Sequence, residues 1–192
     1  MVPLARLAAG FGKSAYFMTN ITTNADLIKQ PSTDNLLRLL IADAYVGGGA
    51  YYLPYNIHAY DEALGTSPGS FTGELDEIVY YYRFALDNPF LFQGDTTGSL
   101  IALLYPFSAI DESFWNPAHD PFFDLAAALY DALLPYDVLI VGDSEYIQQL
   151  PSQEDFAKYH YIIIPANSQL PYSVARELAG FVNDGGHVLT YS

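Results

Sequence analysis

Hydrophobic and polar positions separate most sharply at the end of this chain, in YHYIIIPANSQLPYSVARELAGFVNDGGHVLTYS, residues 159–192. An unbroken apolar run at 161–165 leads into a polar turn. Residues 171–183 then carry apolar side chains at helical spacing, Gly185-Gly186 interrupts the pattern, and a second apolar run fills 187–191. Strands of a parallel sheet are covered on both faces and read as continuous apolar runs, whereas half-exposed strands alternate. The pattern predicts a β-α-β unit. Such a sheet ordinarily continues into another helix and none follows here, so the chain is expected to be a piece of a longer protein.

The same reading extends upstream. Residues 99–105 (SLIALLY) predict an apolar strand, 122–134 a helix and 138–141 a strand ending in Gly142-Asp143, with 144–158 as a linker. Four strands joined by helices make a doubly wound pattern. The stretch 92–98 (FQGDTTG) is polar and Gly-containing, and places a boundary between a first domain, residues 1–95, and a second, residues 96–192.

In the first domain, 13–20 reads as a strand and 32–46 as a helix. Ser32, Thr33 and Asp34 are alternative N-caps, and Leu36, Leu37, Leu39, Leu40, Ile41 and Ala44 form its apolar face. Gly47-Gly48-Gly49 stops that helix, because glycine accepts the left-handed conformation at a helix end. A phosphate cradle would need the glycines between a strand and a following helix, the opposite order. Residues 50–55 predict a strand, a long polar loop runs to 73, and a helix at 74–86 ends before Asn88-Pro89. Tyr80-Tyr81-Tyr82 reads as a helix face packed inward. The order is β-α-β-α, with a long loop after a strand; in (β/α)₈ barrels the loops at the strand C-termini carry substrate contacts.

Composition narrows the function. The 192 residues are 51% hydrophobic, enough for substantial cores, and contain no cysteine, so disulfides and thiolate chemistry are absent from the chain. The net charge is −15, with ten acidic and five basic residues in 1–98 and twelve and two in 99–192. So acidic a surface repels phosphate backbones and anionic membranes, which disfavours both as partners. No apolar run is long enough to cross a bilayer. The N-terminal MVPLARLAAGFGKS is too weak for a secretory signal, and compartment stays open.

Candidate chemistry gathers in YYLPYNIHAYDE, residues 51–62. Asn56, His58, Tyr60 and Asp61 lie at or beyond a strand end among aromatics that include Tyr52, a set suited to a neutral sugar: rings for C–H faces, polar groups for hydroxyls. An aromatic-rich barrel rim gives the same residues without a site. Asn20, Thr22 and Asn24 suit a neutral ligand but are ordinary turn residues. Glycoside hydrolysis needs two carboxyls across the scissile bond. Of Asp61, Glu62, Glu74 and Asp76, the last two fall in a helix's first turn, where they serve the helix dipole. The catalytic carboxylates are therefore unassigned and expected upstream. His58, His119, His160 and His187 are scattered, so no metal site is expected, nor any cofactor. Phe114 and Trp115 could cover a sugar, but suit a domain interface better.

The second domain resembles the glutamine-amidotransferase-like domain that follows the catalytic barrel in beta-galactosidases with a trimerisation domain. The shared pattern is a Tyr, an apolar strand ending in Pro, a polar stretch with Leu, a helix, then Phe-Val-x-x-Gly-Gly and a strand. The first domain is similar to the end of a glycoside-hydrolase barrel, through LLRLLIADAYVGGGAYYLPYN and a helix with Tyr-Tyr-x-Phe and Asn-Pro. In active amidotransferases a nucleophilic Cys follows, at a place that here falls near Tyr191-Ser192; lacking any Cys, this domain resembles the inactive, architectural form. The resemblance implies a glycoside hydrolase acting on a neutral saccharide, with a non-catalytic second domain and a homo-oligomer contact through it. The rival reading is a non-enzymatic protein-binding or oligomerisation module.

Overall fold

The computed structural model describes residues 2–18, 33–52, 75–92, 98–107, 121–166 and 168–191. The chain divides into two compact units, residues 1–5 with 14–94 and residues 6–13 with 95–192. Both are α/β with parallel strands.

In the first unit, β1 (Tyr16–Phe17) pairs in parallel with β2 (Ala50–Tyr51), with Tyr16 opposite Ala50 and Phe17 opposite Tyr51. Helix α2 (Thr33–Val46) crosses between them, and α3 (Leu75–Asp87) follows, with a short 3₁₀ turn at Pro89–Leu91. Residues 13–15, 18 and 52, expected as strand, are not strand, and 19–20 and 53–55 lie outside the described residues. The core holds Ile41, Ala44 and Tyr51, with Phe17, Leu40, Tyr45, Tyr81 and Tyr82 against it. Leu39, assigned to the apolar face of α2, is exposed. At 100° per residue it sits about 200° from Ile41, so it cannot share that residue's face. The same geometry divides the tyrosine run: Tyr82 packs inward and donates its hydroxyl to the Tyr51 carbonyl (3.0 Å), while Tyr80 faces solvent.

The three glycines after α2 do act as a stop. Gly48 has φ +84. The Gly49 N–H donates to the Ala44 carbonyl and the Gly48 N–H to the Tyr45 carbonyl, both at 2.9 Å, the paired bonds that close a helix end.

In the second unit, β3 (Ile101–Pro106), β4 (Asp137–Val141), β5 (Tyr161–Ile164) and β6 (His187–Thr190) form one parallel sheet in the order β4-β3-β5-β6. The chain winds outward from β3 in both directions, and helices cover both faces. Alternation along β3 shows it. Ala102 and Leu104 join Ile162, Phe156, Val174, Leu178 and Phe181 under α5 (Gln153–Phe156) and α6 (Tyr172–Asn183). Leu103 and Tyr105 join Phe122, Ala126, Leu129 and Ile140 under α4 (Pro121–Asp131), with Leu7 of α1 (Val2–Gly10) against the same cluster.

Helix α4 ends at Asp131, not at 134 as the apolar pattern suggests. Leu134 precedes Pro135, whose ring disfavours helical geometry in the residue before it. The chain turns through Leu133 at φ +56, and the Leu134 N–H donates to the Leu129 carbonyl at 2.9 Å. The supposed linker 144–158 is folded. Ser152 caps α5 in a reciprocal box with Asp155, and the Asp143 carboxylate accepts N–H bonds from Glu145, Tyr146 and Ile147 at 2.9–3.0 Å.

Those amides, chiefly that of Ile147, hold the Asp143 carboxyl below the ordinary carboxylate range; the Ser152 N–H does the same for Asp155. A depressed carboxyl stabilises the fold above its unfolded value, about pH 4, and that contribution is lost as pH falls through the folded value. Asp143→Asn and Asp155→Asn should therefore flatten the acid limb of stability against pH below about 4. Urea midpoints measured from pH 2 to 6 check it; an unchanged slope in both variants would contradict the assignment.

Candidate functional site

Of the residues assigned to a sugar site, the structure places Tyr52. It follows β2 directly, its N–H donates to the Phe17 carbonyl (2.6 Å), and its side chain is 60% exposed. A ring projecting from the C-terminal end of a parallel strand is where an α/β fold puts ligand contacts. Asn56, His58, Tyr60 and Asp61 lie outside the described residues, as do Asn20, Thr22, Asn24, Glu62, Glu74, Phe114, Trp115 and His119. Asp76 falls in the first turn of α3.

Beneath Tyr52 the support is firm. Tyr82 ties α3 to the β2 backbone, and burial pushes its phenol well above the ordinary value. Tyr45 packs edge-on to Tyr82 (6.3 Å, 77°) and to Phe92 (5.4 Å, 60°). An apolar pocket of about 350 Å³ opens among Ile41, Tyr45, Tyr81, Phe84 and Phe92 on α2, α3 and the turn after it. It has few polar groups to orient a hydroxylated ligand.

The second unit holds a cleft of about 360 Å³ of different character. It lies where β5 and β6 begin and α5 and α6 end, and is lined by Gln153, Tyr159, His160, Tyr161, Asp184 and His187 over a Gly185-Gly186 floor. Pairing of β5 with β6 sets Tyr161 opposite His187, and their rings stack at 5.2 Å and 21°. The His187 N–H donates to the His160 carbonyl (2.9 Å), drawing the two histidines to one rim. Gln153 Nε2 donates to Asp184 Oδ2 (2.6 Å), and Tyr159 Oη donates to Asp137 Oδ2 (3.2 Å). Burial, reinforced by the Asp137 charge, raises the Tyr159 phenol. The sequence reading missed this cleft because the strand pairing that assembles it leaves no mark in residue spacing. The available signal was His160 and His187, each just before or at the start of an apolar run. Among the described residues no group of three or more His, Cys, Asp or Glu is placed to hold a metal.

No known family profile matches the chain. In sequence it is similar to an alpha-agarase of Alteromonas agarilytica, 26% identical over 149 residues, covering 77% of this chain and 10% of that protein. A match of that length exceeds either unit and draws on both. The crystal structure of a beta-galactosidase from Bifidobacterium adolescentis aligns over 48% of this chain and 39% of that one, with TM-score 0.35 and 20% identity. Both are carbohydrate-acting enzymes by name. The chain spans about a tenth of the curated relative it matches.

Proposed function

We propose that this chain is a segment of a glycoside hydrolase acting on a neutral saccharide. Its first unit would be the last β/α units of the catalytic barrel. Its second is an architectural, amidotransferase-like sheet with no catalytic part. The observation that carries the reading is the sequence match to an alpha-agarase running through both units. A shared ligand-binding loop alone would align over a far shorter stretch.

Within that reading Tyr52 offers a ring to the sugar's C–H surface at the C-terminal end of β2. Asn56, His58, Tyr60 and Asp61 supply hydrogen bonds to hydroxyls. The carboxyl pair that protonates the leaving oxygen and attacks or activates water comes from other strand ends of the barrel, upstream. The second unit contributes no nucleophilic thiol, since the chain has no cysteine.

The test is reducing-end release from agarose and other neutral galactans by the longer protein that carries this chain. Release is expected, and His58→Ala or Asp61→Asn should lower kcat/KM by about tenfold, the worth of one hydrogen bond to substrate. A folded protein that releases nothing from any neutral polysaccharide would rule the reading out.

A second reading, a non-enzymatic assembly module, is favoured by one observation. Among the described residues β6 lies at one end of the sheet order, with Leu189 51% exposed. Edges of that kind pair with other chains. It predicts a protein that self-associates in solution and leaves every saccharide untouched.

A further inference from the structure

We propose that the cleft at the starts of β5 and β6 is a second saccharide-binding site, with Tyr161 as its platform and Asp184 as its hydroxyl acceptor. The location matters first. In open α/β sheets ligands sit beyond the C-terminal ends of the strands; this cleft lies at the opposite edge, so the fold's usual ligand crevice does not account for it. Its volume, about 360 Å³, fits a ligand the size of one or two sugar rings.

The charge arrangement selects the ligand class. Asp184 is the C-cap of α6, where the helix dipole already concentrates negative potential and where a carboxylate is unfavourable. That placement does nothing for the helix. Gln153 Nε2 fixes Oδ2 at 2.6 Å, leaving Oδ1 for a ligand. A carboxylate beside a helix C-terminus repels phosphate and carboxylate ligands. Also lining the cleft, the imidazoles of His160 and His187 take part in none of the hydrogen bonds among the described residues, so each offers a ring nitrogen. The cleft thus combines acceptor and donor groups, a pattern matched by a neutral polyol with several hydroxyls.

Shape completes the fit. Tyr161, 42% exposed although it begins a sheet strand, stacks on His187 to make a flat wall for a sugar's C–H face. Gly186 packs directly against the Phe181 ring, where a Cβ would not fit. The choice of a saccharide over other neutral polyols rests on the proposed function; the cleft's preference for a neutral ligand does not.

The four histidines make the test selective. Ring signals of His58, His119, His160 and His187, assigned by single His→Gln variants, are followed by NMR as the chain is titrated with a neutral agarose-derived oligosaccharide. Saturable shifts of His160 and His187 are expected. Tyr161→Ala and the near-isosteric Asp184→Asn should each weaken them by about tenfold. Inorganic phosphate should leave both signals in place. If His58 alone moves, the sugar binds at the strand-end site, and the cleft assignment falls while the proposed function stands. If His160 and His187 move as far with phosphate, or keep their affinity in both variants, the assignment also falls. So does it if no histidine moves while the longer protein still cleaves the polysaccharide.

Discussion

Replacing Phe122 by alanine is expected to lower the unfolding free energy by about 3–5 kcal/mol, a large part of the about 5–15 kcal/mol that a domain possesses. Phe122 sits in the first turn of α4, 1% exposed. It meets Tyr105 edge-on at 4.7 Å and 72°, and Phe123 at 5.2 Å and 81°. Removing the ring deletes its buried area and leaves a cavity between α4 and the sheet. Little can collapse into that space, because Leu103 and Ile140 are held by the parallel pairing of β3 with β4. Phe123→Ala, at a half-buried position on the same turn, is the control and should lose clearly less. Urea unfolding followed by far-UV circular dichroism decides it; equal losses, or a loss under about 1 kcal/mol for Phe122→Ala, would mean the core is not packed as described.

Gly142→Ala should also destabilise strongly, at or above the upper end of the about 1–3 kcal/mol typical of overpacking. A Cβ there would overlap the Ile147 carbonyl oxygen and crowd the Gln149 carbonyl. Neither can swing aside, since the Gly142 N–H is bonded to the Gln149 carbonyl at 2.7 Å and the Ser144 N–H to that of Ile147 at 3.1 Å. The relevant comparison is Gly185→Ala. There φ is +97 and nothing lies within 4 Å of the added carbon, so the cost is backbone strain alone, about 1–2 kcal/mol. Thermal melts of the two variants rank the mechanisms; a Gly185 variant less stable than the Gly142 variant would reverse the argument.

What the sequence made legible follows from what covers each element. Strands β3 and β5 are packed on both faces, so they read as unbroken apolar runs. Helix α6 has one covered side, so its apolar residues keep helical spacing. Two features were illegible for physical reasons. Helix α1 is nine residues of mostly apolar side chains without a polar face, and no periodicity marks it. Its signals were local: Pro3 near its start and Gly12, at φ +65, just past its end. Helix α5 is a single turn, too short for any period, and its mark was the Ser152-x-x-Asp155 capping box. The candidate sites divide in the same way. Tyr52 could be proposed because a strand end is visible in sequence, whereas Tyr161, Asp184 and His187 come together only once β5 and β6 pair.

Strand β3 is hydrogen-bonded to a neighbour on each side and roofed on each face, with Ala102, Leu103 and Leu104 fully enclosed. Among the described residues β6 pairs with β5 alone, and most of its side chains reach solvent. Selection removes variants whose folded population drops too far. Within this sheet, β3 should therefore keep its residues across descendants of this gene more strictly than the exposed faces of the helices that cover it.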